Sequence, residues 1–397
     1  MAGYMRLLTF GVPFEAFTRD IWLICLSNVI GAFGEGLYSY IFPIYVGKLE
    51  ADYFQIGTVI SALYGASALT PLLGGWLADR FDRKKILLLS WIPWFVAPLF
   101  YSAATHWTLL IPGTICWGVS MIGVPAVNAY IITSVEDKKK LTSVFSFVWA
   151  SYSFSYIFAP AAGALLASFI GMRLVFLVSS VLCAVATVVF LFLHSQHPRK
   201  RNQETSPPPV LSSTEERRLW HRVLFWAVFF ASVSFFAAVG RTFVQTYLNS
   251  EVLLSEFYVG LFGSINFAGF TLLGVVMGRL GDRWRKPRAI SLCLLFHVVS
   301  MLPFLLTKAT AALMPVAFFH SGAMIVGSLV SSYVGTVAPE NKRGLWVSVP
   351  QTLSLSAAFL APYLSAFLYT QSPYHAFAVS AVSMPFLMLF ALTLLKE

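Results

Sequence analysis

Twelve apolar runs, each about long enough to cross a bilayer as a helix, leave this chain almost no choice of fold. They centre on residues 21–46, 54–78, 85–104, 107–135, 142–169, 172–194, 223–248, 257–280, 288–307, 311–337, 344–370 and 373–395. Hydrocarbon offers no water to backbone N–H and C=O groups, so every run has to close its hydrogen bonds within itself. The expectation is an all-α membrane protein with twelve transmembrane helices. Composition agrees, since 58% of the residues are hydrophobic and 11% charged, where a soluble domain carries about a quarter charged. Twelve spans take up nearly all of the 397 residues and leave no room for a large soluble domain. The opening segment, MAGYMRLLTFGVPFEAFTRD, is too polar at its end for a cleaved signal peptide, so the first run reads as a retained helix. Cys25, Cys116, Cys183 and Cys293 fall singly inside apolar runs, without metal-ligand spacing, and read as small core residues.

The longest polar stretch, HSQHPRKRNQETSPPPVLSSTEERRLWHR at 194–222, is rich in Pro, Ser and charge and reads as a flexible linker. It separates an N-terminal six-helix half, 1–193, from a C-terminal half, 223–397. Nearly all of the 27 Lys and Arg residues lie in the N-terminal arm, in this linker, near the C-terminus and in the loops on the same side. Lys48, Arg173 and Lys308 fall on the other side, and Arg241 lies inside a span. The positive-inside rule therefore predicts a protein of the inner or plasma membrane with both termini cytoplasmic. The same distribution explains the net charge of +10, which faces the headgroups of the lipid bilayer and calls for no nucleic-acid partner.

The two halves are related. YFQIGTVISALYGASALTPLLGGWLADRFDRKK (53–85) aligns without a gap on EFYVGLFGSINFAGFTLLGVVMGRLGDRWRKPR (256–288), pairing Phe54 with Phe257, Gly57 with Gly260, Gly75 with Gly278, Asp79 with Asp282 and Arg80 with Arg283. FAPAAGALLA (158–167) likewise matches LAPYLSAFLY (360–369). Duplicated halves are a common architecture of transporters, with the substrate path between them. GGWLADRFDRKK (74–85) resembles the loop signature between the second and third helices of the major facilitator superfamily, and GRLGDRWRKPR (278–288) is its echo in the second half. The resemblance covers essentially the whole chain and departs at Asp82, where the family usually has glycine. It implies twelve helices in two pseudo-symmetric halves, and a conformational latch on the cytoplasmic side. The latch would use Gly75, Asp79, Arg80 and Arg83, with Asp282 and Arg283 in the second half and Glu136 or Asp137 as partners. SYIFAPAAGA (155–164) is similar to the fifth-helix signature of the antiporters, keeping Pro160 and Gly163. Thr114 stands where proton-coupled drug exporters carry an arginine in the fourth helix.

Two charges stand inside spans. Carrying a charge to the bilayer centre costs about 2.5 to 3.5 kcal/mol on insertion scales, so such residues belong to a cavity rather than to lipid. On an unbroken helix Asn28, Glu35, Ser39 and Phe42 share one face, with Tyr38 adjoining. Ser234, Arg241 and Gln245 form a similar stripe in the seventh run, and Arg241 follows Gly240 as Glu35 follows Gly34. If the first and seventh helices face each other, Glu35 and Arg241 either see one another or share a ligand. A purely structural ion pair is the alternative. Glu35 is the better proton carrier, and Arg241 the better anchor for an anion. By the resemblance, Asn128 and His320 also line the cavity. Phe33, Tyr38, Trp117, Trp149, Tyr152 and Phe235 are candidates for apolar walls, and His297 is expected at the periphery.

A nucleotide-driven pump would need a phosphate-binding loop and an enzyme a nucleophile with its base or a metal cluster; neither motif is present, and no cofactor or metal is called for. The reading is a proton-coupled secondary transporter, similar to drug/proton antiporters, that takes a small-molecule substrate and protons and functions as a monomer. Export of amphiphilic organic compounds comes first, uptake of an organic anion second, and a sensor or lipid scramblase third. Tags at either terminus and in the 194–222 segment should be reached from the cytoplasm, and a tag at 48–51 only from outside. Any other labelling pattern in intact and permeabilised cells overturns the charge-based orientation.

Overall fold

The computed structural model describes residues 14–135, 137, 140–197, 213–339 and 342–395. Twelve helical spans are long and apolar enough to cross a membrane. In order they are Arg19–Ser39, Tyr53–Ala78, Arg83–Ala103, Trp107–Ser134, Ser143–Ile170, Met172–Phe192, Thr214–Ser250, Glu256–Arg283, Lys286–Leu306, Thr310–Val337, Gly344–Gln371 and Pro373–Leu394. These match the twelve apolar runs of the sequence closely, with one displacement. The helix that carries the seventh span starts at Ser213, inside the stretch expected to be linker, because SSTEERRLWHR places Glu215 and Glu216 in the first turn, where the helix dipole favours acids. Residues 198–212 of that stretch lie outside the described residues.

The duplication is visible in the backbone. The first helix stops at Ser39 and resumes as a short helix, Phe42–Lys48. Its counterpart stops at Arg241 and resumes as Val244–Ser250. Pro43 explains the first break, since a proline can open a helix but cannot continue one. The second span breaks at Leu69, just before Pro71, whereas the eighth runs unbroken over Glu256–Arg283 and has Gly274 where the repeat would place that proline.

The fifth span packs along the first on one side and the eighth on the other, and the second packs along the eleventh. These two seams join the halves. A Cβ built on Gly163 would stand 1.8 Å from the Leu37 carbonyl oxygen, and one on Gly260 would stand 2.5 Å from that of Pro160. Only glycine allows helices to approach this closely. The inter-half contacts concentrate at the end away from the chain termini. There Lys48 pairs with Glu256, Asn266 donates to Tyr40, and the Ala161 N–H donates to Ser264 at 3.1 Å. Toward the terminal end Ser348 reaches the Pro71 carbonyl at 3.5 Å, while the eighth span has open space beside Gly274 and Gly278.

The few cations of the far end are all engaged. Besides Lys48, Lys308 pairs with Glu251 at 3.1 Å and Arg173 donates to the Ala104 carbonyl at 2.9 Å. Cys25, Cys183 and Cys293 are buried, Cys116 is half-buried and all four are free thiols, as the apolar sequence around them suggests.

Gly163→Val should lower the melting temperature of the purified protein, since overpacking a tight contact costs about 1 to 3 kcal/mol. Gly75→Ala is the control, because a Cβ there meets nothing within 4 Å. Equal melting temperatures for the two variants would refute the close-packed seam.

Candidate functional site

Glu35 is 5% exposed and faces inward from the middle of its half. Its Oε2 accepts hydrogen bonds from Trp94 Nε1 at 2.9 Å and Tyr152 Oη at 3.1 Å, and its Oε1 accepts one from Trp117 Nε1 at 3.0 Å. The donors come from the third, fifth and fourth spans, so the carboxyl ties four helices together. The ring of aromatic side chains around it excludes lipid and water alike. Trp94 packs at a tilt of 53° against Trp91 with ring centroids 5.1 Å apart, which fixes the indole that points at Glu35. Glu35 has no Lys, Arg or His ion-pair partner among the described residues. Such a carboxyl has three of its acceptor positions filled by neutral donors and no cation to balance a charge.

Arg241 stands on the other half, at the break in the seventh span, and is half-buried. It makes neither an ion pair nor a side-chain hydrogen bond among the described residues. The structure therefore does not form the Glu35–Arg241 pair that the sequence allowed, because Glu35 turns into its own half toward the indoles. Within electrostatic range of Arg241 lie Tyr40, His297 and His320. The two imidazoles are nearly parallel with centroids 6.1 Å apart, and His297 Nε2 lies 2.9 Å from Ser380 Oγ. Asn266 Nδ2 donates to the Tyr40 hydroxyl at 2.6 Å. His297, expected at the periphery, is fully buried.

The remaining residues singled out in the sequence are spread more widely. Tyr38 packs its ring on Tyr101 and Phe176, each at 5.6 Å, deep in its own half. The break after Ser39 removes Phe42 from the continuous helical face that the periodicity suggested. Asn128 accepts from Trp149 Nε1 at 3.1 Å. Gln245 lies beyond the break and holds a buried Oε1 without a protein partner. Trp117 and Tyr152, expected as apolar walls, are hydrogen-bond donors to Glu35. Trp94, Tyr40 and Asn266 were not singled out; a tryptophan inside a span needs an acceptor for its N–H, but that signal does not separate Trp94 from the other ten tryptophans.

At the terminal end, Arg83 donates to Thr133, to Gln196 Oε1 at 2.9 Å and to the Ala78 carbonyl at 3.4 Å. Asp79 is exposed at the end of its helix and is not hydrogen-bonded to Arg83, although it lies within electrostatic range of it. The Arg80 guanidinium lies 4.5 Å from the Trp76 ring, and Asp282 and Arg283 are exposed. Glu136 lies outside the described residues. Asp82 caps the third span with an ordinary φ of −57°, which explains how aspartate replaces the glycine expected there. Its carboxylate accepts the Lys84 N–H at 3.0 Å and the Gln196 N–H at 3.1 Å. Burial pushes that carboxyl up, but the two N–H donors outweigh it and hold it below its ordinary value of 3.8. The first residues of the expected linker are thus bound to the N-terminal half. His194 adds to this by contacting Asp20 at 3.0 Å.

The family model described as Major Facilitator Superfamily matches residues 24–250 and 241–397. The chain is similar to Multidrug resistance protein 2 of Bacillus subtilis (strain 168), at 24% identity over 90% of this chain and 91% of that protein. It is also similar to Multidrug resistance protein MdtG of Proteus mirabilis (strain HI4320), at 26% identity over 74% of this chain and 75% of the other. Among solved structures, a variant of the nucleoside transporter NupG superposes with a TM-score of 0.78 at 15% identity, covering 95% of this chain and 100% of that one. A D-xylose-proton symporter does so with a TM-score of 0.72 at 13% identity, over 95% and 98% of the two chains.

Removing the cap with Asp82→Ala should cost about 0.5 to 2 kcal/mol at neutral pH. A depressed folded-state pKa contributes stability that is present above 3.8 and fades as the pH falls through the folded value. The gap in melting temperature between the wild type and this variant should therefore close on acidification, and a gap that stays constant down to strongly acidic pH would contradict the N–H-stabilised carboxylate.

Proposed function

Because the chain belongs to the Major Facilitator Superfamily, we propose that it is a proton-coupled secondary transporter that exports small amphiphilic organic compounds by alternating access. Membership makes it a membrane transporter and not an enzyme. The proton coupling rests on Glu35, a buried carboxyl in the middle of a span, with three neutral donors and no cation beside it. Deprotonated, it leaves an uncompensated charge in the aromatic cage of the N-terminal half; protonated, that cage is neutral. The two indoles donate to the carboxyl in either state, and on protonation the Tyr152 hydroxyl, which donates to the carboxylate, can turn to accept the new O–H. A conformational change that alters water access to this cage would couple proton movement to transport.

The direction of transport draws on the multidrug resistance names of the relatives and on the Pro160–Gly163 segment. That segment lies where the fifth span meets the first and eighth, so a shift of the halves must pass through it. The contacts at the far end and the open space beside the eighth span at the terminal end fit a state open toward the termini. With 1–193 and 223–397 as the moving halves, 194–222 as their linker and the termini cytoplasmic, this is the inward-facing state of a monomer. Asp79, Arg83 and their neighbours would engage as a latch when that side closes. Uptake of an organic anion is the second reading, favoured by the lack of an acid partner for Arg241.

Glu35→Gln keeps the hydrogen-bond acceptor and removes the titration. In liposomes with an imposed pH gradient, the wild type should move an amphiphilic dye such as rhodamine B, which carries a carboxylate, against its gradient. The variant should lose this driven flux while keeping dye exchange. Gradient-driven accumulation by the variant at the wild-type rate would exclude Glu35 as the proton site.

A further inference from the structure

We propose that Arg241, with Tyr40 and His320, binds the carboxylate of an organic acid, Asn266 orienting the Tyr40 hydroxyl, which makes the transported compounds amphiphiles bearing that group; this rests on the transport role proposed above. A guanidinium inside a membrane protein calls for a counter-anion, and none of the described residues supplies one here. Glu35 is committed to three donors in the other half. Glu251 and Glu256, on the segments that follow the break, pair with Lys308 and Lys48. Arg241 is half-buried rather than sealed, so a ligand can reach it.

Around it the protein keeps polar atoms that it does not itself satisfy. His320 is 3% exposed and Asn266 is 2% exposed. The Nδ1 atom of His320 has no hydrogen-bond partner among the described protein groups and in its N–H form can donate to a carboxylate, whereas the unpaired Asn266 Oδ1 and Gln245 Oε1 are acceptors that call for a donor elsewhere on the ligand. A buried polar atom left unpaired costs stability, so a cluster of them points to a ligand that pairs with them. The Tyr40 hydroxyl accepts from Asn266 Nδ2 and so keeps its own O–H to donate. One forked guanidinium and one phenol donor in this arrangement suit a planar carboxylate, which guanidinium binds in bidentate fashion. Tyr40 and Phe262, with centroids 6.4 Å apart, and Phe267, 6.2 Å from Tyr40, supply apolar surface for the rest of an amphiphile. Tyr40 lies at the break that follows the first span, and Arg241 and His320 belong to the C-terminal half, so a bound carboxylate bridges the halves.

The test is a thermal-shift and titration-calorimetry series on the full-length protein in detergent. The probes are aromatic and aliphatic carboxylates, each matched with its neutral primary amide. Carboxylates, and not their amides, should stabilise the wild type. Arg241→Gln should weaken their binding at least about tenfold and Arg241→Lys by less, because lysine keeps the charge and loses the fork. Tyr40→Phe should weaken it too, and it keeps the test open if Arg241→Gln does not fold. Equal response to acids and amides, or unchanged carboxylate affinity in Arg241→Lys and Tyr40→Phe, overturns the site. The wild type separates this proposal from the coupling one: proton-driven dye export without carboxylate binding sinks the anion site alone, and carboxylate binding without driven export sinks the proton site alone.

Discussion

The closest approach in this fold is between backbones. Gly163 in the fifth span lies directly on the Leu37 carbonyl of the first, and Gly260 in the eighth lies on the Pro160 carbonyl of the fifth. Lipid tails are as apolar as the helices, so no hydrophobic force drives spans together inside the bilayer, and close van der Waals contact has to do it. Three helices are thereby held in one layer, with the fifth in the middle and one neighbour from each half. Everything placed between the halves inherits its position from this seam.

One consequence is the different fate of the two intramembrane charges. The first span is pressed against the fifth, which brings Tyr152 to Glu35, while the third and fourth spans bring their indoles from the other side. The carboxyl is enclosed by neutral donors and becomes a self-contained unit of the N-terminal half. Arg241 stands at the corresponding break of the repeat, level with Ser39 and about a turn beyond the counterpart of Glu35, and the groups near it among the described residues are imidazoles and a phenol with no carboxylate. Related backbones have thus been given opposite electrostatic problems. A proton is proposed to solve the first, and a ligand anion the second.

The terminal end shows a second use of neutral donors against charge. Asp82 is held by backbone N–H groups, one of them from Gln196, and Arg83 is held by Gln196, Thr133 and a carbonyl. The start of the segment between the halves is therefore fastened to the loop that joins the second and third spans. An Arg83 already bonded in this way is not the free partner of Asp79 that the loop signature implied. In this state the charges of the loop hold their own half in shape, and any engagement across the halves belongs to another conformation.

The number of spans and the duplication were legible in the residues themselves, whereas the breaks after Ser39 and Arg241 were not read from them. The number of spans follows from a local rule: hydrocarbon forces a helix wherever about twenty apolar residues run together. The start of the seventh helix was misplaced because a polar, acid-led segment can be a linker or a helical first turn, and composition alone does not distinguish them. The sequence also marked Glu35 and Arg241 as exceptional, since any charge in a span is. What it could not hold was their partners. Trp94, Trp117 and Tyr152 lie on three other helices, and Tyr40 reaches Asn266 from the other half. Side-chain periodicity fixes which residues share a face of one helix, but the rotation and depth at which that face meets its neighbours are set by packing at Gly163 and Gly260. The residues by themselves determined that two charges would be buried; the tertiary structure decided that they would be buried apart, because helix-to-helix contact, and not sequence spacing, chooses which groups meet.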